Sequence, residues 1–499
     1  MGKSNIPADG HRVGKAGDVN LPEMGIAAVV AGLKAGDFSA EEYVRALLAQ
    51  AQHWHGLNAF ISLDEERAIA LARASDTERR SGRASPLSGL PLVVKDNIEV
   101  AGLPTTGGTP ALRDNISAKN APAVSRLLAQ GAFVLGKTNL HELACGATSR
   151  NESFGHVRTP YDPARCAGGS SGGTAAALAA RIAPAGLGTD TGASVRHPSS
   201  FCGTAALRPT VGTAKGERRY PSTGVVPISL TTDTIGPMAR TVEDVALLDA
   251  AIVGRPPVAA ADLRNVRLAI PRDPFWRDLD PDVEALCLQA VDRLSACGVT
   301  FVETDLLTEV NMLNDKTSDL VLWEFRLALP AYLSAANAGI GWQELIEQVA
   351  AADVRCMMAR ADMVTEQQYC EARDHWRPRL LQTYDLLFRD AGVDGYLIPV
   401  TPGLPPLAND GAHGSAGMVP AQERLAEFGH LIRNLGASAM AGLPGLAFPA
   451  GLTREGLPVG IEIDGPAGSD DRLLAIGMAA EAALARIPPP PLPFQNPNL

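Results

Sequence analysis

The chain has 499 residues, enough for two to three domains or for one large α/β unit. Hydrophobic residues make up 46% and charged residues 20%, and 44 Lys and Arg against 55 Asp and Glu leave a net charge of −11, which argues against nucleic acid or an anionic membrane as the main partner. Seven cysteines without a C-x-x-C pair and nine histidines without an H-E-x-x-H cluster argue against a disulfide framework and a zinc site, and point to a cytoplasmic, reducing setting with no resident metal or cofactor.

Residues 1–20 read as a mobile leader. It lacks the apolar core of a signal peptide, and MGKSNI lacks the Ser or Thr that a myristoylation site carries at its sixth position. No run approaches the ~20 apolar residues of a membrane span. SAEEYVRALLAQAQHW has an amphipathic helix pattern, with Ser39 as N-cap and Glu42 completing a capping box. EERAIALARASDTERRSG predicts a second helix, stopped by Gly82. In GLPLVVKDNIEV a short apolar strand, Leu92 to Val94, delivers Lys95 into a turn. APAVSRLLAQGAFVLGKTNL reads as helix, glycine stop and strand, one α/β unit. CAGGSSGGTAAALAA is a serine–glycine loop running into a helix, and APAGLGTDTGASVR follows it closely.

From about Arg255 to Val393 helical patterns dominate, and they hold Trp276, Trp323, Trp342 and Trp376. Strand character returns at GYLIPVTP, and LPGLAFPAGLTREGLPVGIEIDG predicts two strands around a turn. DRLLAIGMAAEAALARI predicts a last helix, and the proline-rich tail after it reads as a surface strap or a polyproline ligand motif. The expected organisation is a leader (1–20), a core with the motifs (21–254), a helical elaboration (255–395) and a C-terminal return to the core (396–499).

The serine–glycine loop admits three readings. A phosphate cradle is one, but no Lys follows Gly173 as a P-loop requires, and the loop does not leave a clean strand as a dinucleotide fingerprint does. A flexible linker is another, although the loop is short and lies between strongly patterned elements. The third is catalytic. The glycines permit unusual backbone angles and close substrate approach, and a helix starting near Ser171 aims its positive end at Ser170 and Ser171. A serine nucleophile needs a base. His197 lies three residues from Ser194, but that spacing does not direct it at the hydroxyl. Lys95 follows an apolar strand, and burial would favour its uncharged form. Taken alone, Lys95 reads more readily as a buried lysine paired with Asp96 or another carboxylate.

Three stretches in order, GLPLVVKDNIEVAGLPTTGGT, PARCAGGSSGGTAAALAA and GLGTDTGASVRHPSSFCG, resemble the amidase signature family. The resemblance implies an α/β fold with a large mixed, mostly parallel-type twisted sheet, covered by helices on both faces. It implies a Ser–cis-Ser–Lys triad with Ser194 as nucleophile, Ser170 as bridge after a cis Gly169–Ser170 peptide, and Lys95 as base. Backbone N–H groups of Thr191, Gly192, Ala193 and Ser194 would form the oxyanion hole. Ser171 flanks the bridge, Asp190 and Arg196 brace the nucleophile, and Ala144, Cys145 and Gly146 border the scissile bond. The family commonly carries glycine where this chain has Ala193, so the shape of the acyl pocket is in question. The 255–395 segment matches the family weakly.

TGASVR and RYPSTGVVPISLTTDTIGPMARTVEDVALLD most resemble the branch of mandelamide and indoleacetamide hydrolases, near urethane-cleaving members. The resemblance implies a monomeric or homodimeric hydrolase of small aryl or bulky amides, needing water and no cofactor. Carbamate or ester cleavage by the same triad, and a glutaminase subunit of a tRNA-dependent amidotransferase, are the alternatives. A non-catalytic nucleotide-binding protein is the reading from another class.

Overall fold

The computed structural model describes residues 20–213, 217–409 and 420–491. Residues 1–19 of the expected leader and the last eight residues of the tail lie outside them.

The strands are β1 (Phe60–Leu63), β2 (Pro91–Lys95), β3 (Phe133–Thr138), β4 (Arg158–Thr159), β5 (Asp162–Cys166), β6 (Ala185–Asp190), β7 (Ala205–Arg208), β8 (Thr234–Ala239), β9 (Arg267–Ile270), β10 (Thr300–Glu303), β11 (Gly395–Pro399), β12 (Gly445–Leu452) and β13 (Pro458–Asp464). All but β4 and β5 form one sheet in the order β1-β3-β2-β6-β8-β7-β12-β13-β11-β9-β10. Parallel pairing joins β2 to β3 and β6, and β9 to β10 and β11. The strands between these two groups, and the β1–β3 edge, pair antiparallel.

The helices are α1 (Ile26–Ala35), α2 (Ala40–His53), α3 (Glu65–Arg80), α4 (Pro122–Ala129), α5 (Gly172–Ala179), α6 (Arg196–Cys202), α7 (Val242–Val253), α8 (Arg272–Phe275), α9 (Pro281–Ala296), α10 (Val310–Ala335), α11 (Trp342–Gln348), α12 (Ala352–Met363), α13 (Glu366–Glu371), α14 (Arg377–Ala391), α15 (Ala421–Ile432), α16 (Gly436–Met440) and α17 (Asp470–Leu484). They cover both sides of the sheet. On β12, Leu446 lies against α17 at Gly477, while the next residue, Ala447, clusters with Ala193 and Leu435. Successive strand residues face opposite ways, so the two contacts mark the two faces.

Local signals account for many boundaries. Ser39 and Glu42 form the capping box of α2: Glu42 N–H donates to Ser39 Oγ at 3.1 Å, and Ser39 N–H to Glu42 Oε2 at 2.7 Å. The chain between α4 and β3 turns at Gly131, where φ is +90° and a Cβ would stand 2.9 Å from the Ser88 backbone. Only glycine fits there. The β12–β13 hairpin matches its expectation.

The segment from 255 to 395, expected as a helical elaboration, holds strands as well as helices. It contributes β9 and β10 to the sheet edge before α10–α14 gather as a helical layer. Each strand is four residues long, and β10 alternates little in burial, so neither carries the period that marks a strand in sequence.

Candidate active site

Parallel β3, β2 and β6 end on the same edge, and several of the candidate residues gather there, at the kind of crevice beyond strand C-termini where open α/β sheets bind ligands. Lys95 ends β2, Asp190 ends β6, and Asn97 lies in the turn after β2. The serine–glycine loop brings Ser170 over this edge through a cis Gly169–Ser170 peptide.

Lys95 Nζ donates to Ser170 Oγ at 2.7 Å and to Thr189 Oγ1 at 2.8 Å. Thr189 Oγ1 also accepts from Asn97 Nδ2 at 3.0 Å. Lys95 is 0% exposed, and burial pushes its amine down to about 7 against the opposing fields of Asp190, Asp233 and Cys145. Asp96 does not pair with it. That carboxylate sits 3.0 Å from Lys137 Nζ instead, with both side chains buried. Lys95 is thus left without a carboxylate partner among the described residues.

Ser194 is half-buried, and its carbonyl accepts from Ser171 N–H at 3.1 Å. Ser171 Oγ donates to Thr189 O at 3.2 Å. The fold therefore joins Lys95 to Ser170 by side chains and brings the Ser194 loop against them by backbone. Among the described residues the Ser194 hydroxyl makes no hydrogen bond, to Ser170 or to any other group.

The loop around Ser194 is braced from behind. Asp190 Oδ2 accepts from Val195 N–H and from Arg196 Nε, both at 3.1 Å. Arg208 Nη1 donates to Asp190 Oδ1 at 3.0 Å. Burial alone would raise the Asp190 carboxyl, but Arg196 and Arg208 outweigh it and hold it down at about 2. Arg196 also donates to Gly192 O at 2.9 Å and to Glu462 Oε1 at 2.6 Å. Thr191 Oγ1 donates to Asp233 Oδ1 at 2.7 Å. Burial raises the Asp233 carboxyl to about 6, against the hydrogen bonds from Thr191, Ile228 and Ser229.

A Cβ on Gly192 would meet nothing within 4 Å, so the loop opens there. Ala193 points the other way, 3% exposed among Val400, Leu435 and Ala447, and its φ is not positive. The alanine in place of glycine is therefore an unstrained packing residue. His197 is no base: its Nδ1 accepts from Gly169 N–H at 3.4 Å, and burial drives the ring down to about 3.

Ala144, Cys145 and Gly146 are buried beside the site. Leu143 and Ala144 both take left-handed backbone, φ 51° and 60°, and a Cβ on Gly146 would strike the His141 ring at 2.3 Å. Burial, with Asp233 and Asp353 nearby, pushes the Cys145 thiol well up, so it stays protonated. His141 pairs with Asp353 of α12 at 3.2 Å, and Glu142 accepts from Ala351 N–H just before α12 at 2.7 Å. Thr189, Asn97, Asp233, Arg208 and Glu462 escaped the sequence reading, although TTDTIGP stands inside a quoted stretch. A cleft of about 550 Å³ between α7 and α17, near Leu247 and Met478, holds none of these residues.

The fold is of the α/β class, and the cluster sets the Ser170 and Thr189 hydroxyls against a buried amine. The family model for Amidase matches residues 42–474; the chain belongs to the amidase signature family and hydrolyses amide C–N bonds. It is 39% identical over 472 residues to the mandelamide hydrolase of Pseudomonas putida, covering 91% of this chain and 90% of that one. It is 37% identical over 468 residues to an indoleacetamide hydrolase of Agrobacterium vitis, covering 93% and 98%. The native peptide amidase of Stenotrophomonas maltophilia has the same fold, with TM-score 0.78, 28% identity, and 94% and 99% of the two chains covered. No helix among the described residues is long and apolar enough to cross a membrane.

Proposed function

We propose that Lys95, Ser170 and Ser194 form a proton relay that hydrolyses small aryl or bulky amides through a seryl acyl-enzyme. The observation that carries this reading is the buried amine 2.7 Å from Ser170 with no carboxylate to keep it charged. Uncharged Lys95 takes the Ser170 proton while Ser170 takes that of Ser194. Ser194 Oγ then attacks the carbonyl, and a small rotation brings its hydroxyl to Ser170 when substrate binds. The proton returns along the same path to the leaving nitrogen, the C–N bond breaks, and water repeats the cycle on the ester. N–H groups of Thr191 to Ser194 receive the oxyanion at the open Gly192 edge. One such donor is typically worth about 10²–10³ in rate.

An aryl or bulky acyl group suits the surroundings. Ala144 and Cys145 belong to an apolar cluster with Val226, Ile228, Phe325 and Leu329, so the helical layer supplies an apolar wall. The substrates named for the mandelamide and indoleacetamide relatives are of this class. In this proposal the enzyme works in the cytoplasm, as a monomer or homodimer, on small molecules and water alone. The test is turnover of an arylacetamide by Lys95→Ala and Ser194→Ala variants with unchanged folding. Loss of at least about 10³-fold in both is expected, and full activity in either ends the proposal. A panel of arylacetamides, anilides, carbamates and glutamine then separates amidase from urethanase and glutaminase.

A further inference from the structure

We infer that Glu324, on the covering helix α10, is a positioning residue for the oxyanion loop, acting through the 229–233 turn and Asp233. The inference rests on the proposed role of Thr191 to Ser194. Glu324 is half-buried midway along α10. Its carboxylate accepts three hydrogen bonds, all from one turn: Ser229 Oγ at 2.6 Å, Thr231 N–H at 2.9 Å and Thr231 Oγ1 at 2.6 Å. Hydrogen bonds also close the turn internally. Thr232 N–H donates to Ser229 Oγ at 3.2 Å, and Asp233 N–H to Ser229 O at 2.9 Å. Leu230 at its tip is 66% exposed, so apolar packing does not fix the tip.

Asp233 carries the restraint onward. Its Oδ2 accepts from Ile228 N–H at 2.8 Å and Ser229 N–H at 3.0 Å, which locks the carboxylate to the turn. Its Oδ1 takes the Thr191 hydroxyl at 2.7 Å. The first residue of the oxyanion loop is thereby tied, through two carboxylates and one turn, to a helix more than a hundred residues away in sequence. Charged acceptors make such bonds shorter and stronger than neutral ones. A glutamine at 324 keeps a carbonyl for Ser229 Oγ and Thr231 N–H but puts an amide N–H₂, which cannot accept, where Thr231 Oγ1 now donates, and it removes the charge that strengthens all three bonds, so it loosens the turn with little change of volume.

A loop that misplaces its N–H groups loses transition-state binding more than substrate binding. Glu324→Gln is therefore expected to lower kcat about tenfold or more with KM within about twofold. Thr191→Val cuts the last link of the chain. Glu324→Gln placed in that background should cost little further, although residues 324 and 191 make no direct contact. Separated residues without shared partners normally act additively. The experiment is this double-mutant cycle, with kcat referred to active sites titrated by a covalent serine reagent, and with Ser194→Ala as control. Non-additivity supports the inference. The same factor from Glu324→Gln in both backgrounds overturns it, because a general loss of stability would act alike in each. If Ser194→Ala retains turnover, the site assignment itself falls; with Ser194→Ala inactive, an additive cycle removes only the role of Glu324.

Discussion

In the proposed relay Lys95 sets the conditions under which the site works. An ammonium there cannot take a proton, and burial lowers its pKa from 10.5 to about 7. The kcat/KM for a neutral amide should therefore climb about tenfold per pH unit below 7 and level off above it. A profile flat from pH 5 to 9 would remove Lys95 as the base. The same shift has a stability consequence. Between about pH 7 and 10.5 the unfolded chain holds a proton that the folded chain lacks, so stability gained from this group rises with pH across that window. Below pH 7 the native state carries the full cost of a buried charge. Lys95→Met should accordingly raise Tm most at low pH, with the gap closing toward pH 10.5. Lys95, Ser170 and Ser194 stand out in the sequence as candidates because their motifs are local and ordered along the chain. What one residue faces is not legible there. Taken alone, the sequence favours Asp96 or another carboxylate as a partner for Lys95, and only the fold shows that Lys137 takes Asp96.

At the scale of elements, legibility followed the strength of local punctuation. The α2 helix carried its own start signal, and the structure contains both halves of it. Ser39→Ala removes one acceptor of that box and should cost about 1 kcal/mol in denaturant unfolding, with activity per folded molecule unchanged. A shift in kcat with no change in stability would contradict a purely capping role. The β12–β13 hairpin was equally readable, since two apolar runs flank a Thr-Arg-Glu-Gly turn. Strands β9 and β10 had no such markers. They pair only with each other and with β11, at the far edge of the sheet. Their placement follows from long-range parallel pairing, which leaves little trace in a four-residue stretch. A helical layer over the site was expected, but the residue by which α10 engages it was invisible for a related reason. Glu324 is an ordinary charged residue on an amphipathic helix until the 229–233 turn is folded against it.

At the scale of the whole molecule, the nucleophile loop is held by one guanidinium that gathers distant parts of the chain. Arg196, fully buried, reaches Asp190 at the end of β6, Glu462 on β13 and the carbonyl of Leu435 before α16. A buried cation needs compensating charge, and its two acid partners supply it unequally. Asp190 lies between Arg196 and Arg208 and stays ionised, at about 2. Glu462 is pushed above the usual carboxylate range, first by burial and then by neighbouring Asp464, against the pull of Arg196. Its Oε1 accepts from Arg196 at 2.6 Å. A neutral side chain therefore suits this place better than a charged one, and glutamine keeps a carbonyl for Arg196. Glu462→Gln should thus leave stability within about 1 kcal/mol of the parent and activity nearly intact. Asp190→Asn instead strips the ion from between two buried guanidiniums. It should cost about 3–5 kcal/mol and most of the activity, because Val195 N–H and Arg196 lose the acceptor that orients the loop. Denaturant unfolding of the two variants side by side, with kcat for one aryl amide, reads the contrast directly. Equal damage from both substitutions would mean that Glu462 is ionised and that charge is shared evenly around Arg196.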